Sequence, residues 1–191
     1  MDDERLKAVT VGERQPHNAT IDLAPYDPAW PAQYARLANK IIEALGEGVL
    51  CLEHVGSTSV PGLSAKPIID IVLAVAASAA EAAYVPALEL HGFTLRIREP
   101  DWYEHRMLKG PDGVANLHVF SAGCAEVERM IAFRDWLRTH PEDRERYDAT
   151  KRELARRVWR HVQDYADAKS EVVGGIMARA LGVNDQPVRI A

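Results

Sequence analysis

A Gly-Ser turn is the first feature of this sequence that could do chemistry. Residues 53–63 read EHVGSTSVPGL, so Gly56, Ser57 and Thr58 directly follow a short apolar run. Glycine permits close approach to the backbone, and backbone amides with a serine hydroxyl form a cradle for an anion. We therefore predict that these three residues bind a phosphate group. The patterns GxxxxGK[ST] and GxGxxG are absent from the chain, which argues against a phosphate-loop kinase.

Asp70 is the second such feature, because it interrupts the apolar run PIIDIVLAV. A carboxylate inside a buried strand needs a partner or a metal ion. If the strands on either side of the turn are neighbours, Asp70 returns to the mouth of the Gly-Ser turn. There it could hold Mg²⁺, or Mn²⁺ as a substitute, beside a phosphate. The alternative is that Asp70 ends the strand and caps a nearby amide.

Three basic residues accompany these two features. Lys66 follows the turn and could reach a phosphate as a point charge, although a solvated lysine is the alternative. His54 precedes the turn by two residues and is expected to support it. His118 lies in NLHVF, where strand alternation places it on one face with Asn116 and Phe120. A neutral imidazole can bind a metal and a protonated one a phosphate, but a buried core histidine is the alternative.

The elements that must position these residues form a helix–strand–loop–strand pattern followed by a helical tail. The sequence predicts a helix capped by Asp27, strands at 49–55 and 67–75, a helix opened by a Ser78–Glu81 capping box, strands at 93–99, 102–108 and 115–121, and helices through 125–182 with breaks at Pro141 and near 160–163. His105 and Arg106 point to opposite faces of their strand, and either could face the site. This order predicts an α+β fold with about five strands in a mixed sheet, flanked by helices, and with the C-terminal helices packed on it.

Length and composition fit one domain. Of the 191 residues, we expect 1–18 to be a frayed lead-in, 19–182 a single domain and 183–191 a tail. The net charge of −5 argues against bulk binding of nucleic acid. No apolar run is long enough to span a membrane, and the two cysteines form no disulfide framework, so we expect a cytoplasmic protein.

Five segments together resemble one known family. YDPAWPAQY, EHVGSTSVPGLSAKPIIDI, NLHVF, FRDWLRTHP and DYADAKS are similar to the GrpB family, over about residues 21–182. Members of that family occur alone or fused to dephospho-CoA kinase. The family is placed in the nucleotidyltransferase superfamily, so the resemblance implies a polymerase-β-like fold.

The superfamily signature is a Gly-Ser turn followed by two acids that flank one apolar residue, with a third acid on a later strand. Gly56, Ser57 and Asp70 match it. Ile68 and Val72 stand where the companion acid would be, and His118 lies where the third acid is expected. The resemblance therefore implies Asp70 and His118 as catalytic residues and Asp70 as the metal ligand. Arg129, Arg134 and Lys169 fall in or near the family-like segments and could form a basic wall opposite the turn.

Two functions follow from this pattern. The first is metal-dependent nucleotidyl transfer, with a nucleotide or another phosphorylated small molecule as ligand. The second is a non-catalytic binding or accessory module that keeps the pocket but has lost part of the metal site. The retained turn favours the first and the missing acid favours the second. The oligomeric state is left open by the sequence.

Overall fold

The computed structural model describes residues 3–13 and 17–182. Seven α-helices and five strands are present in these residues. The helices are α1 (Asp3–Val9), α2 (Trp30–Leu45), α3 (Val85–Leu90), α4 (Ala125–Thr139), α5 (Pro141–Ala155), α6 (Val162–Asp167) and α7 (Ser170–Ala180). The strands are β1 (Cys51–Val55), β2 (Ile69–Val75), β3 (Thr94–Glu99), β4 (His105–Lys109) and β5 (Ala115–Ser121). The predicted tail at 183–191 lies outside the described residues.

The five strands form one mixed sheet in the order β1-β2-β5-β4-β3. β2 and β5 are parallel, and the other neighbouring pairs are antiparallel. The prediction of a mixed α+β sheet of about five strands is confirmed. The register places Asp70 beside Val55 of β1 and Asn116 of β5.

Helices cover both faces of the sheet. One face carries Ile69, Ile71 and Leu73 of β2, which pack against α2 and α3 in the largest apolar cluster. The other face carries Asp70 and Val72, because successive side chains of a strand alternate between faces. On that second face Val72 packs with Val127 of α4, so apolar contacts bury one half of the face while Asp70 lies beyond them.

The C-terminal helices pack on the sheet through α4, as predicted, and they also pack on the segment that follows the Gly-Ser turn. Val60 and Leu63 are fully buried in a cluster with Leu137 of α4, Tyr147 of α5 and Ile176 of α7. This packing brings α5 and α7 to the second face of the sheet. Side chains distant in sequence can therefore reach the turn.

Several predicted elements differ from the structure. The helix expected at Asp27 begins at Trp30, because the Asp27 carboxylate accepts a hydrogen bond from the Ala29 amide (2.8 Å) in the preceding turn. The break predicted near 160–163 lies between α5 and α6, at residues 156–161. β4 begins at His105, because Tyr103 and Glu104 have positive φ angles and form a turn.

The capping box predicted at Ser78 and Glu81 is wrong. The Ser78 hydroxyl lies 3.1 Å from the Ser121 hydroxyl at the end of β5. Glu81 forms ion pairs with Arg98 (2.7 Å) and Arg106 (2.5 Å), and a short 3₁₀ turn precedes α3. Contacts between distant segments thus replace the expected local contact.

The lead-in expected to be frayed at 1–18 contains an ordered helix in its described part. After α1, Thr10 forms an isolated bridge with Ile97, and the Val11 amide donates to the Arg96 carbonyl (2.7 Å). These contacts attach the lead-in to β3. Within the described residues, no helix is long and apolar enough to cross a membrane.

Candidate functional site

The Gly-Ser turn lies against Asp70. Gly56 has φ +74° and ψ −158°, a conformation available almost only to glycine. A Cβ atom at Gly56 would lie 2.5 Å from Asp70 Oδ2, so the absence of a side chain is what allows the approach. The predicted return of Asp70 to the mouth of the turn therefore agrees with the structure.

Asp70 is an ionised carboxylate in a polar pocket. Its Oδ1 accepts a hydrogen bond from Asn116 Nδ2 (2.8 Å) and lies 3.9 Å from His118 Nε2. Burial would raise the pKa of Asp70, but contacts with His118 and Asn116, together with the charge of Lys66, lower it below its ordinary value. The carboxylate carries its negative charge at neutral pH. Within the described residues, Asp70 accepts its hydrogen bond from the side chain of Asn116 and not from a backbone amide, so the alternative of an amide cap does not agree with the structure.

Three lysines lie near this carboxylate and a fourth lies at the turn, and two of the four, Lys109 and Lys151, were not predicted. Burial lowers the pKa of Lys66 and of Lys109 below the ordinary lysine value, and the nearby negative charge of Asp70 offsets part of that lowering. Lys109 Nζ also donates to Asn116 Oδ1 (2.6 Å), which fixes the amide that holds Asp70. Lys169 has its pKa lowered to about 8 by burial and by the charge of Lys66.

Lys151 is the fourth lysine and is almost completely buried. Its Nζ donates to Ser57 Oγ (3.3 Å) and to the Ser64 carbonyl, and it lies 4.0 Å from the Asp148 carboxylate. Burial lowers the pKa of Lys151 to about 7. Tyr147, one turn earlier in α5, also hydrogen-bonds Ser57. Helix α5 therefore contacts the serine of the turn with two polar side chains.

His54 supports the turn in the position predicted for it. Its Nε2 lies 2.9 Å from Thr58 Oγ1, and its ring stacks on Tyr34 at 4.8 Å. Burial lowers the pKa of His54 to about 4, so the ring is neutral near pH 7. The Thr58 hydroxyl is buried and contacts the Ile68 carbonyl (3.4 Å), which places it on the inner side of the turn.

The two predicted arginines do not join this group. Arg134 is buried on the outer side of β1, where it binds Glu53 (2.6 Å), Asp135 (2.8 Å) and the His54 carbonyl (3.0 Å). It lines a separate cavity of about 440 Å³ at the β1 edge of the sheet. Arg129 pairs with Glu126 one turn earlier in α4 (3.3 Å). Of the predicted basic wall, only Lys169 lies near Asp70.

His118 is held by a second histidine. His118 Nδ1 lies 3.1 Å from His105 Nε2, and His105 Nδ1 lies 2.7 Å from Glu99 Oε2. Of the two neighbours His105 and Arg106, His105 faces the site, whereas Arg106 faces the other side of the sheet and pairs with Glu81. The site thus contains a continuous line of polar side chains from Asp70 to β3.

The donor set fits Mg²⁺ only in part. Mg²⁺ in phosphate sites is commonly held by one or two carboxylates, and substrate phosphates and water supply the other oxygens. Asp70 provides one carboxylate, and Ile68 and Val72 provide none. Over the described residues, no group of three or more His, Cys, Asp or Glu side chains could hold a metal ion by itself. A cation at Asp70 would therefore need oxygens from a bound phosphate.

The sequence does carry a signal for the lysines that were missed. Lys151 lies four residues after the buried Tyr147 and three before the buried Leu154, so it stands on the apolar stripe of an otherwise charged helix. Lys109 lies opposite Asn116 in the β4–β5 hairpin, which the register of that hairpin would have revealed.

Known proteins resemble the chain over most of its length. A UPF0157 protein of Halalkalibacterium halodurans is 61% identical over 178 residues, which are 93% of this chain and 91% of the relative. The crystal structure of the conserved protein GrpB from Enterococcus faecalis superimposes with a TM-score of 0.71 at 29% identity, covering 84% of this chain and 98% of that one. A dephospho-CoA kinase of Mycolicibacterium paratuberculosis is 30% identical over 188 residues, which cover 85% of this chain but only 46% of the kinase.

The family model described as GrpB protein matches residues 20–179. That range contains the turn, Asp70, all four lysines and the histidine pair. The resemblance seen in the sequence is confirmed, and the chain belongs to the GrpB family, with a nucleotidyltransferase-like fold.

Proposed function

We propose that the chain binds a nucleotide or another phosphorylated small molecule, with its phosphates among the Gly-Ser turn and the four lysines. The observation that carries this proposal is the charge of the site. Lys66, Lys109, Lys151 and Lys169 face the two carboxylates of Asp70 and Asp148, so the ammonium groups are in excess. Buried cations in excess of their partners are costly, and an anionic ligand would offset that cost.

The lysines also explain how a ligand would be recognised. Each is a point charge with three donors and suits the oxygens of a phosphate chain. Burial lowers the pKa of Lys151 to about 7 and that of Lys169 to about 8. A bound phosphate would raise both values, because a nearby negative charge favours the ammonium form. Binding near pH 8 is therefore expected to take up protons.

The proposal extends to a divalent cation at Asp70, with Mg²⁺ as the first candidate and Mn²⁺ as a substitute. Asp70 would hold the ion, and Asn116 and Lys109 would keep the carboxylate in place. Such an ion stabilises the charge that develops on a phosphate during transfer. In nucleotidyl transfer an acceptor hydroxyl bonds to the α-phosphorus while the bond to pyrophosphate breaks, and the hydroxyl proton leaves to a base. His118 is the candidate base.

A non-catalytic accessory module is the second candidate function. It is favoured by Ile68 and Val72, which replace the companion acid of the superfamily signature. With two carboxylates among four lysines, metal-free binding of an anion is also consistent with the site. The dephospho-CoA kinase resemblance does not add kinase activity to the proposal, because the phosphate-loop pattern is absent from this sequence.

Calorimetric titration with ATP and with inorganic tripolyphosphate tests the binding proposal. We expect both to bind in the presence of EDTA and to take up protons at pH 8, seen as a heat that depends on the ionisation enthalpy of the buffer. Lys169→Met should weaken binding about tenfold or more, since a hydrogen bond to a charged group contributes about 1.5–3 kcal/mol. Lys40→Met, at an exposed position of α2, is the matched control and should not change the affinity. If neither anion binds, the proposal is wrong.

The same titration with Mg²⁺ separates the two functions. In the transfer mechanism Mg²⁺ strengthens ATP binding to the wild type, and Asp70→Asn removes that increment but retains metal-free binding. In an accessory module the affinity is indifferent to Mg²⁺, and Asp70→Asn tightens binding because a negative charge is lost. Metal-indifferent binding by the wild type would exclude the transfer mechanism.

A further inference from the structure

A second cavity lies at the β1 edge of the sheet, apart from the lysine cluster. Its volume is about 440 Å³, which is typical of pockets that bind small molecules. The side chains that line it include those of Arg134, Arg138, Arg144, Tyr26 and Tyr34. Arg134 and Arg138 belong to α4 and Arg144 to α5, whereas Tyr34 belongs to α2. Helices from both faces of the sheet therefore border the cavity.

The arginines of this cavity differ in how far their donors are used. Arg134 is only 7% exposed, and it binds Glu53, Asp135 and a backbone carbonyl, so it is a fixed part of the wall. Arg138 donates to the Ser59 carbonyl from Nε (3.0 Å) and Nη2 (2.9 Å), and its Nη1 lies 3.4 Å from Asp135. A guanidinium carries five N–H groups, so within the described residues these contacts leave donors of Arg138 for another acceptor.

Arg144 is held more weakly than the other two arginines. Its Nη1 lies 3.4 Å from the Leu137 carbonyl and 3.5 Å from the Arg138 carbonyl, which is longer than the usual separation of about 2.7–3.2 Å. Among residues 3–13 and 17–182, no carboxylate forms an ion pair with Arg144. The three guanidinium groups thus face two carboxylates, those of Glu53 and Asp135, and one positive charge is in excess.

Two tyrosines form an aromatic side of the same cavity. Tyr34 stacks on His54 at 4.8 Å, and its hydroxyl donates a hydrogen bond to the Leu52 carbonyl (3.2 Å). Tyr26 packs against Trp30, with the ring planes nearly perpendicular and 5.3 Å between the ring centres. Both tyrosines are only partly buried, so each fixed ring offers apolar surface to a ligand.

We propose that this cavity is a second ligand site, which binds a small aromatic carboxylate. The carboxylate accepts hydrogen bonds from Arg138 and Arg144, since the planar fork of a guanidinium matches a carboxylate. The aromatic ring packs against Tyr26 and Tyr34. A monoanion neutralises the single excess charge, whereas the second charge of a phosphate monoester would be repelled by Glu53. The inference does not rest on the proposed function, because no lysine of the cluster lines this cavity.

NMR of the nitrogen-labelled full chain, titrated with benzoate, tests the inference. Acetate, which lacks the ring, and benzyl alcohol, which lacks the charge, are the comparison compounds. We expect benzoate to shift the Nε–H signals of Arg138 and Arg144 with a Kd of about 1 mM, and each comparison compound to bind at least about tenfold more weakly. Absence of saturable shifts at about 10 mM benzoate would overturn the inference.

Variants in α5 decide whether Arg144 holds the carboxylate. Arg144→Gln should weaken benzoate binding about tenfold or more, since a hydrogen bond to a charged group is lost. Arg146→Gln, at an exposed position of the same helix, is the matched control and should not change the affinity. If Arg144 only supports the end of α4, Arg144→Gln will lower stability but leave benzoate binding unchanged, and the inference is wrong.

Two further measurements test the ring and the choice of anion. Tyr26→Leu should weaken benzoate about two- to tenfold and leave acetate unchanged, because only benzoate contacts the tyrosine ring. Unchanged benzoate binding in this variant would exclude the aromatic side of the site. Phenyl phosphate should bind the wild type less tightly than benzoate. Tighter binding that is lost in Arg144→Gln would refute the choice of a carboxylate.

Competition with tripolyphosphate in EDTA separates this site from the proposed phosphate site. Saturating tripolyphosphate, or Lys169→Met, should leave the Kd of benzoate within about twofold of its original value. Benzoate that is displaced by tripolyphosphate and weakened by Lys169→Met would be bound at the lysine cluster, and the inference would be wrong. If benzoate binds as expected but tripolyphosphate does not bind, the second site stands and the proposed function is wrong.

Discussion

Replacement of Gly56 by alanine tests the contact on which the site depends. In the native conformation of Gly56, a non-glycine residue is strained by about 1–3 kcal/mol. The new Cβ would also lie 2.5 Å from Asp70 Oδ2 and 3.0 Å from Asp70 Cβ, so the carboxylate must move away from Asn116. The lower entropy of the unfolded chain returns about 0.4–1 kcal/mol.

Gly62 provides a matched control for this variant. It also has a positive φ, +81°, but a Cβ there would meet no atom within 4 Å. Gly62→Ala therefore reports the backbone strain and the unfolded-state effect without the clash. We expect Gly56→Ala to lower the free energy of unfolding by at least about 1 kcal/mol more than Gly62→Ala, as measured by urea denaturation at pH 7.

A double-mutant cycle tests whether Asp70 causes the larger destabilisation expected for Gly56→Ala than for Gly62→Ala. In an Asp70→Ala background the oxygen at 2.5 Å is gone, and the nearest atom of residue 70 is its Cβ, at 3.0 Å. The cost of Gly56→Ala should then be smaller than in the wild type. Equal costs in both backgrounds, or equal costs for Gly56→Ala and Gly62→Ala, would refute the close contact between the turn and Asp70.

Two further predictions concern pH. Burial lowers the pKa of Lys151 to about 7, whereas in the unfolded chain it is near 10.5. The unfolded chain therefore binds more protons between these values, and the stability of the folded protein falls as the pH falls from 10.5 to 7. Urea denaturation should show that the wild type is more stable relative to Lys151→Met at pH 10 than at pH 7. Hydrogen bonds from Arg98 and Arg106 lower the pKa of Glu81 below 4.5, so its stabilising effect is present at neutral pH and lost in acid. Glu81→Gln should cost about 1.5–3 kcal/mol at pH 7, because Arg106 is buried. The cost should diminish as the pH falls below the ordinary glutamate pKa of 4.5, and a cost independent of pH would contradict the ion pair.

The sequence predicted those parts of the site that depend on neighbours along the chain. Asp70 was predicted as a site residue because a charge inside an apolar strand is unusual. Gly56 was predicted because a turn had to follow β1. Their proximity follows from the antiparallel pairing of two strands joined by a short loop, which places Val55 beside Asp70. The pattern of apolar residues along the chain is enough to predict two neighbouring strands joined by a short loop.

Residues that reach the site from distant helices were predicted less well. Lys151 contacts Ser57 from 94 positions away, and the charged helix around it suggested a solvated surface. Arg134 was expected near the turn because it lies in a family-like segment, but α4 directs it to Glu53 on the outer side of β1. Only the packing of the helices on the sheet decides which face a side chain occupies. The roles of the predicted site residues in binding and catalysis stay predictions.

The wide spacing of the site along the chain also has a consequence for how the protein folds. Asn116 contacts Asp70 across 46 positions, and Lys151 contacts the Ser64 carbonyl across 87. Contacts between residues so far apart close large loops and raise the contact order, which slows folding. The sheet alone therefore forms only half of the lysine cluster, because Lys151 and Lys169 arrive when α5 and the residues after it dock. We expect ligand binding to be recovered with the slowest step of refolding, after most of the secondary structure has formed.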